Sequence, residues 1–185
     1  MNTIIYKKIE SLLKTNKKIV IAVDGMCASG KTTLAQQIKE NFGGTVIHAD
    51  SFFLPPEMRS EERLNEPGGN FHRERFIDEV INNLNKERFE YGVFDCAVCE
   101  IARTEAVNEK RLVIIEGSYC MHPDLINAYD YKIFTVTSEE TQLKRISKRN
   151  GATALAVFKS KWIPMENKYF DFFGTREKCD AVIYS

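Results

Sequence analysis

Short runs of β-branched and aromatic residues alternate along the chain with longer stretches in which apolar residues recur every three or four positions. The short runs predict strands and the longer stretches predict amphipathic helices. The predicted strands cover residues 19–23, 45–49, 111–115, 131–136 and 181–184. The first predicted helix lies at the N-terminus and ends near residues 15–16, and the others cover residues 32–42, 73–84, 138–149 and 152–162. This alternation predicts an α/β fold, with a parallel sheet covered by helices on both faces.

A glycine-rich loop follows the first predicted strand. Gly25, Gly30, Lys31 and Thr32 fit the pattern G-x-x-x-x-G-K-[ST], and the flanking strand and helix provide the context that this pattern requires. Glycine lets backbone N–H groups approach a phosphate, Lys31 adds a mobile positive charge, and the Thr32 hydroxyl can bind Mg²⁺. We therefore expect ATP and Mg²⁺ as cofactors rather than a glycine-rich turn that binds nothing. The predicted nucleotide-binding residues are Gly25, Ala28, Ser29, Gly30, Lys31, Thr32 and Thr33.

Two acids follow the next two strands of the predicted sheet, Asp50 after the second and Glu116 after the third. Parallel strands bring their carboxyl ends to one edge, where ligands bind in open α/β sheets. A phosphoryl-transfer site needs a phosphate cradle, a metal ion, a positioned acceptor hydroxyl and an acid to orient it. Asp50 could instead cap a turn, and Glu116 could be a solvated acid at the end of a strand.

Arg145 and Arg149 lie one turn apart on a predicted helix, so they share a face and could neutralise charge on a transferred phosphoryl group. We predict that they are catalytic residues of a lid over residues 141–162. The alternative is the ordinary basic end of a surface helix, which the helix dipole favours.

The segment 52–98 is too long to be a simple connector, which indicates a substrate-covering segment with a small hairpin or edge strand near residues 89–98. Phe52 or Phe53 could stack on a ring, and several polar side chains could bind a sugar or a base. The candidate substrate-binding residues are Asp50, Phe52, Phe53, Asn70, His72, Arg73 and Arg75. His48 lies inside an apolar run and is interpreted as a core histidine.

Composition excludes several classes of function. The 26 basic and 26 acidic residues cancel, so no overall field favours nucleic acid or an anionic membrane, and no apolar run is long enough to span a bilayer. The odd set of five cysteines favours reduced thiols and a cytoplasmic location. A metal site at Cys96 and Cys99 would need ligands such as Cys120 and His122, and free thiols are the favoured interpretation. We expect one domain over residues 1–185, and the oligomeric state stays open, a homo-oligomer included.

The motifs together resemble the P-loop small-molecule kinases of the uridine kinase, phosphoribulokinase and nicotinamide riboside kinase group. The resemblance rests on residues 25–32, 48–53, 116–117 and 142–149. It implies sheet order 2-3-1-4-5 and transfer of the ATP γ-phosphoryl group to a hydroxyl. It also implies that Asp50 receives or orients the acceptor hydroxyl, and that Glu116 holds Mg²⁺ through water. Uridine kinases carry an Asp-His-Pro-Asp-type motif where this chain has residues 66–73, so the base of the acceptor stays open.

These observations predict a small-molecule acceptor, a nucleoside or a similar polyol. A kinase of a cofactor precursor or another polyol is one alternative, and an ATP-binding regulatory module without an acceptor is another. A GTPase would need an Asn-Lys-x-Asp sequence, and neither Asn16-Lys17 nor Asn167-Lys168 is followed by the required Asp.

Overall fold

The computed structural model describes residues 2–108 and 111–185; residues 1, 109 and 110 of the predicted domain lie outside this description. The helices are α1 (Asn2–Thr15), α2 (Lys31–Phe42), α3 (Glu61–Asn65), α4 (Arg73–Glu79), α5 (Glu139–Val157) and α6 (Ile163–Phe173). The strands are β1 (Ile19–Gly25), β2 (Thr45–His48), β3 (Phe89–Asp95), β4 (Glu100–Val107), β5 (Leu112–Glu116), β6 (Tyr131–Val136) and β7 (Ala181–Tyr184).

Five strands form one parallel sheet in the order β2-β5-β1-β6-β7, which confirms the predicted fold class. The strand labels differ from the predicted order 2-3-1-4-5 because the numbering includes β3 and β4, which do not belong to this sheet. Numbered among themselves, the five sheet strands follow the predicted order. The register pairs Val23 and His48 with Glu116, and Gly25 with Thr135, so these residues share one edge of the sheet.

The two faces of the sheet bury different kinds of side chain. One face packs aliphatic residues of β1 and β5 against α1 and α2, with Ile9 and Ile38 fully buried. The predicted N-terminal helix is thus confirmed, and its buried isoleucines recur at the spacing of one helix face. The other face carries an aromatic core that includes Phe52, Phe76 and Tyr169.

The hairpin of β3 and β4 is antiparallel and packs on the aromatic core. Tyr91 of β3 stacks on Phe52, with 5.6 Å between the ring centroids, so the predicted hairpin is fixed to the body of the domain. The predicted helix over residues 73–84 is shorter than expected, because α4 ends at Glu79 and a 3₁₀ turn (Ile81–Asn83) follows. The Asn83 amide donates to the carbonyls of Asp78 and Glu79, which would otherwise accept from the next turn of the helix.

The predicted lid region is one nearly continuous helical segment with irregularities. Gly151 interrupts α5 with φ of 83° and ψ of 172°, and a π-helix (Phe158–Trp162) joins α5 to α6. Pro164 lies in the first turn of α6, directly after the π-helix. Among the described residues, no helix has the length and apolar character needed to cross a bilayer.

The Phe52 ring offers a direct test of the aromatic core, because it is fully buried and contacts Phe71, Phe76 and Tyr91. We expect Phe52→Ala to lower the free energy of unfolding by about 3–5 kcal/mol, through lost apolar burial and the cavity left behind. Urea denaturation followed by circular dichroism measures this change.

Phe172→Ala is the matched control for Phe52→Ala, since the Phe172 side chain is 69% exposed. It should change the free energy of unfolding by no more than about 0.5 kcal/mol. Equal losses for the two variants would contradict the assignment of Phe52 to the core.

Candidate active site

A cavity of about 900 Å³ opens at the carboxyl edge of the sheet, between the glycine loop, the segment after β2, and helices α5 and α6. Its wall includes the loop residues Ala28 to Thr33 on one side, and Asp50, Phe53 and Asn70 on another. The edge of a parallel sheet at which polar side chains meet is the expected place for a ligand in this architecture. The cavity is large enough for a nucleotide or a molecule of similar size.

The glycine loop has the backbone geometry of a phosphate cradle. Gly30 has φ of +92°, and a Cβ added to it would have no atom within 4 Å, so the loop is open at that point. Gly25 is required for a different reason, since a Cβ there would lie 2.2 Å from the Thr135 carbonyl oxygen of β6. Helix α2 starts directly after Gly30, and N–H groups at a helix start attract anions. Gly25 therefore shapes the loop and does not line the cavity.

The Lys31 side chain is buried and folds back over the glycine loop. Its Nζ atom donates to the carbonyl oxygens of Gly25 and Met26 at 2.7 and 3.0 Å, and to the Ser118 hydroxyl at 3.4 Å. These neutral acceptors leave the positive charge of Lys31 without a close carboxylate partner among the described residues. That charge is therefore available to an anion in the cradle.

Thr32 and Glu116 form the predicted metal-binding pair. The Thr32 hydroxyl lies 3.1 and 3.2 Å from the two carboxylate oxygens of Glu116, and the Glu116 side chain is only 6% exposed. Hydroxyl and carboxylate oxygens suit Mg²⁺, which usually keeps several waters and takes few protein ligands. The described residues contain no group of three or more His, Cys, Asp or Glu side chains placed to hold a metal ion. The pair therefore fits an ion that is bound mainly by water and phosphate oxygens.

His48 is not a core residue, which corrects the sequence-based interpretation. Its side chain is 46% exposed, and its Nδ1 atom lies 2.5 Å from Glu116 Oε1. The hydrogen bond to Glu116 raises the pKa of His48, and burial opposes this shift. The apolar run that contains His48 ends at the sheet edge, so the last side chain of the strand faces the site.

Asp50 lies beside the end of β5, in a 3₁₀ turn (Ala49–Phe52). A Cβ added to Gly117 would lie 3.2 Å from Asp50 Oδ1, which shows how closely the loop after Glu116 approaches this carboxylate. The Asp50 residue is exposed to solvent in the cavity, but many protein atoms lie around its carboxylate. Desolvation therefore raises the pKa of Asp50; Lys31 opposes the shift, and the carboxylate of Glu116 adds to it.

Helix α6 supplies site residues that the sequence-based prediction missed. Glu166 is buried on the cavity wall and accepts hydrogen bonds from Cys27 N at 2.9 Å and from the Ser118 hydroxyl at 2.6 Å. Tyr169, one turn later, donates to the Asp24 carboxylate at 2.9 Å. The sequence did contain a sign of this role for Glu166. The residue shares a helix face with the buried Tyr169 and Phe170, and an acid within such an apolar stripe is unusual.

The sequence-based prediction also missed Asp24. It is fully buried, accepts hydrogen bonds from the backbone N–H groups of Gly25 and Met121 at 2.7 and 3.0 Å, and receives the Tyr169 hydroxyl. Desolvation raises the pKa of Asp24 to about 6, while Lys31 and these hydrogen bonds oppose the shift. An acid within the apolar run of β1, immediately before the glycine loop, was the available signal.

Arg145 and Arg149 both lie on the cavity wall, where the prediction expected lid residues. Arg145 donates to the Ala28 carbonyl oxygen at 3.1 Å and to the Ser185 hydroxyl at 3.0 Å, which links α5 to the glycine loop. Arg149 donates to the adjacent Asn150 side chain at 2.7 Å. Both side chains are exposed, so both guanidinium groups can reach solvent in the cavity.

The candidate substrate-binding residues separate into two groups. Asp50, Phe53 and Asn70 lie on the cavity wall. Phe52 does not, because its ring is fully buried in the aromatic core, and the predicted stacking on a ligand is corrected accordingly. Arg75 lies over the Phe52 ring, 4.2 Å from its centroid, and donates to the carbonyl oxygens of Ser51 and Gly92, so it ties the hairpin to the segment after β2.

His72 and Arg73 also lie away from the cavity wall. His72 caps α4, since its Nδ1 atom accepts from the Arg75 N–H at 3.4 Å. Arg73 forms ion pairs with Glu66, Glu74 and Asp124 at 3.1–3.6 Å. The polar pattern of residues 66–73 therefore reflects the anchoring of this segment. Of the ligands predicted within it, Asn70 alone belongs to the cavity wall.

The five cysteines are free thiols, and Cys27 and Cys120 are buried. Cys96 lies on the cavity wall. The Cys99 thiol lies 3.5 Å from the backbone carbonyl oxygen of Cys96. Burial and the neighbouring Glu166 carboxylate raise the pKa of Cys27 to about 12. A neutral thiol is therefore built into the glycine loop.

Curated kinases are similar in sequence to this chain, although no family model matches it. A uridine kinase of Ligilactobacillus salivarius is 25% identical over 187 residues, which cover 92% of this chain and 86% of that protein. A uridine kinase of Anoxybacillus flavithermus is 28% identical, with 90% of this chain and 86% of that protein covered.

A solved structure has the same fold. It is described as a possible uridine kinase from Bacillus stearothermophilus, and it matches with a TM-score of 0.68, 17% sequence identity, and coverage of 98% of this chain and 100% of that chain. At this identity the likeness concerns the fold alone. Fold and sequence matches together confirm, over nearly the whole chain, the predicted resemblance to the uridine kinase-like P-loop kinases.

Proposed function

We propose that this protein transfers the γ-phosphoryl group of ATP to a hydroxyl of a nucleoside or a similar small molecule. One observation carries the proposal: the phosphate cradle with Lys31, the Thr32–Glu116 pair and the Asp50 carboxylate all meet at a single cavity. A site that only held a nucleotide would not need a carboxylate of raised pKa beside the cradle.

The donor side uses backbone and cationic groups. The N–H groups of the glycine loop and the start of α2 would bind the phosphates, and Lys31 would neutralise the outer ones. Thr32 and Glu116 would hold Mg²⁺, which when bound offsets charge on the phosphate oxygens. Arg145 and Arg149 would add positive charge from α5, where charge accumulates on the transferred group.

The acceptor side uses Asp50. Its carboxylate would accept a hydrogen bond from the acceptor hydroxyl and orient that oxygen. It would take the hydroxyl proton as the new O–P bond forms and the bond between the γ-phosphorus and the bridging oxygen breaks to release ADP. A carboxylate with a raised pKa is a better proton acceptor than an ordinary aspartate. The walls formed by α6 and the segment after β2 would limit access of water, which would otherwise compete with the acceptor.

The relatives named uridine kinase favour a nucleoside as the acceptor. A cofactor precursor or another polyol is the second candidate, because residues 66–73 differ from the Asp-His-Pro-Asp-type motif of uridine kinases. A regulatory module that binds ATP without an acceptor is the rival of a different class.

A screen of acceptors tests the proposal. ATP consumption is measured with purified protein, Mg²⁺ and each member of a panel of nucleosides, riboside cofactor precursors and sugar alcohols. We expect at least one class of hydroxyl compound to stimulate consumption well above the rate without acceptor. Stimulation by none of them, with ATP still bound, would support the regulatory module instead.

Asp50→Asn tests the role of the carboxylate. We expect kcat to fall by about 100-fold or more, since the acceptor hydroxyl loses its proton acceptor, while the Kd for ATP changes by less than about threefold. Steady-state kinetics and calorimetric titration with ATP measure the two effects. Asp171→Asn, an exposed acid outside the cavity, is the control and should behave as the wild type. Unchanged turnover of the Asp50 variant would exclude the proposed role.

The acid limb of the pH profile gives an independent check. The carboxylate must be ionised to accept a proton, so kcat/KM should fall as pH decreases through the pKa of Asp50. Because desolvation raises this pKa above its usual 3.8, the fall should begin at a higher pH than for an ordinary aspartate. Circular dichroism at each pH confirms that the protein is folded. A profile that stays flat down to the ordinary range of an aspartate would contradict the assignment.

A further inference from the structure

His48 and Glu116 lie side by side at the ends of neighbouring parallel strands. The register pairs them directly, and they follow Val46 of β2 and Ile114 of β5, which pack on the sheet face that α1 and α2 cover. Side chains two positions apart in a strand point to the same face, so both polar side chains are directed toward the start of α2, where Thr32 lies. The sheet thus places a histidine directly against the predicted metal-binding acid.

The Glu116 carboxylate needs more than one hydrogen-bond donor, because its side chain is only 6% exposed. The Thr32 hydroxyl lies 3.1 Å from Oε1 and 3.2 Å from Oε2, but its single proton can be donated to only one of them at a time. His48 Nδ1 lies 2.5 Å from Oε1, and since an ionised carboxylate only accepts, the ring nitrogen donates. His48 therefore engages Oε1 and leaves Oε2 to Thr32 and to a ligand in the cavity.

His48 contacts Glu116 from outside the cavity. Thr32, Asp50 and Glu116 are among the described residues that line the cavity, and His48 is not. Its Nδ1 atom is committed to Glu116, so this nitrogen cannot bind a metal ion at the same time. The imidazole extends from the last residue of β2, and the backbone pairing with β5 fixes its origin. A donor in this place sets the direction of the carboxylate without touching the ligand.

We propose that His48 is a positioning residue for the divalent metal ion, whose Nδ1–H holds Glu116 in the orientation in which Oε2 can accept from the water shell of the ion. The inference rests on the proposed function, since it concerns the Mg²⁺ that accompanies the nucleotide. Carboxylates that hold a metal ion are generally oriented by such outer hydrogen bonds. Without His48, Thr32 is the one remaining donor to this carboxylate among the described residues, and Glu116 is free to turn.

Two other roles of His48 lead to different expectations. If His48 bound the metal ion directly, its loss would lower the metal affinity whether or not residue 116 carries a carboxylate. If His48 only linked β2 to β5, its loss would disturb the sheet edge and weaken the binding of nucleotide without metal as well. A positioning residue affects the metal ion alone, and it does so only through Glu116.

Metal binding tests the role of His48 without any need for turnover. The Kd for Mn²⁺ is measured from the electron paramagnetic resonance signal of the unbound ion, with a non-hydrolysable ATP analogue held by excess protein. We expect His48→Leu to raise this Kd by about 10-fold or more. His48→Asn has nearly the same volume but keeps an N–H near the position of Nδ1, so its Kd should stay within about threefold of the wild-type value. Equal Kd values for the Leu variant and the wild type would overturn the proposal.

The same replacement in a Glu116→Ala background shows whether His48 acts through the carboxylate. We expect His48→Leu to change the Kd for Mn²⁺ by less than about threefold there, because no carboxylate is left to position. A further loss as large as in the wild-type background would make His48 an independent metal ligand and would overturn the positioning role.

Two further measurements keep the test decisive. The Kd for the ATP analogue in the presence of a metal chelator should be the same in His48→Leu and the wild type, and a loss there as large as the loss of Mn²⁺ affinity would indicate a merely structural role. If His48→Leu does not fold, His48→Ala takes its place, since it removes the donor without adding apolar surface.

The outcomes also separate this inference from the proposed function. Mn²⁺ affinity that depends on His48, without transfer to any acceptor, would support the positioning role and refute the kinase proposal. Transfer to an acceptor with Mn²⁺ affinity independent of His48 would refute the positioning role alone.

Discussion

The hydrogen bonds of the buried Asp24 carboxylate hold together the elements around the cavity. Asp24 ends the apolar part of β1, and its oxygens accept from Gly25 at the start of the glycine loop, from Met121 in the segment after β5, and from Tyr169 on α6. A carboxylate without water is costly unless hydrogen bonds replace its hydration. Each of the three elements is thereby held at a fixed distance from the others. Glu166 of α6 reinforces this arrangement, since it accepts from Cys27 N–H in the loop and from the Ser118 hydroxyl in the segment after β5.

The two sides of the cavity are built in different ways. The proposed donor side consists largely of backbone groups of one continuous stretch, residues 25–33, between a strand and a helix. The proposed acceptor side depends on contacts between distant parts of the chain: Arg75 joins the carbonyl oxygens of Ser51 and Gly92, and Arg63 holds the backbone around Asn70. The first kind of site can be recognised from local sequence alone, whereas the second becomes visible only in the tertiary structure.

This difference explains what the sequence could predict. The sheet and the positions of Asp50 and Glu116 followed from apolar runs and from the rule that parallel strands end at one edge, whereas the order of the strands was implied by the family resemblance. Phe52 was assigned to the ligand because two adjacent phenylalanines look alike in sequence, and only the packing of Tyr91 and Phe76 decides which of them is buried. His48 was assigned to the core because the apolar run does not show that β2 ends at that residue.

Specificity should accordingly lie in the side chains of the acceptor side. Backbone N–H groups bind any phosphate of suitable shape, so the glycine loop distinguishes poorly between molecules that carry the same triphosphate. Asp50 and Asn70, on the opposite wall, belong to a segment that tertiary contacts hold in place. Buried polar groups reject ligands that leave them unpaired more strongly than apolar walls reject ligands of the wrong size, so a wall of this kind can distinguish one acceptor from another.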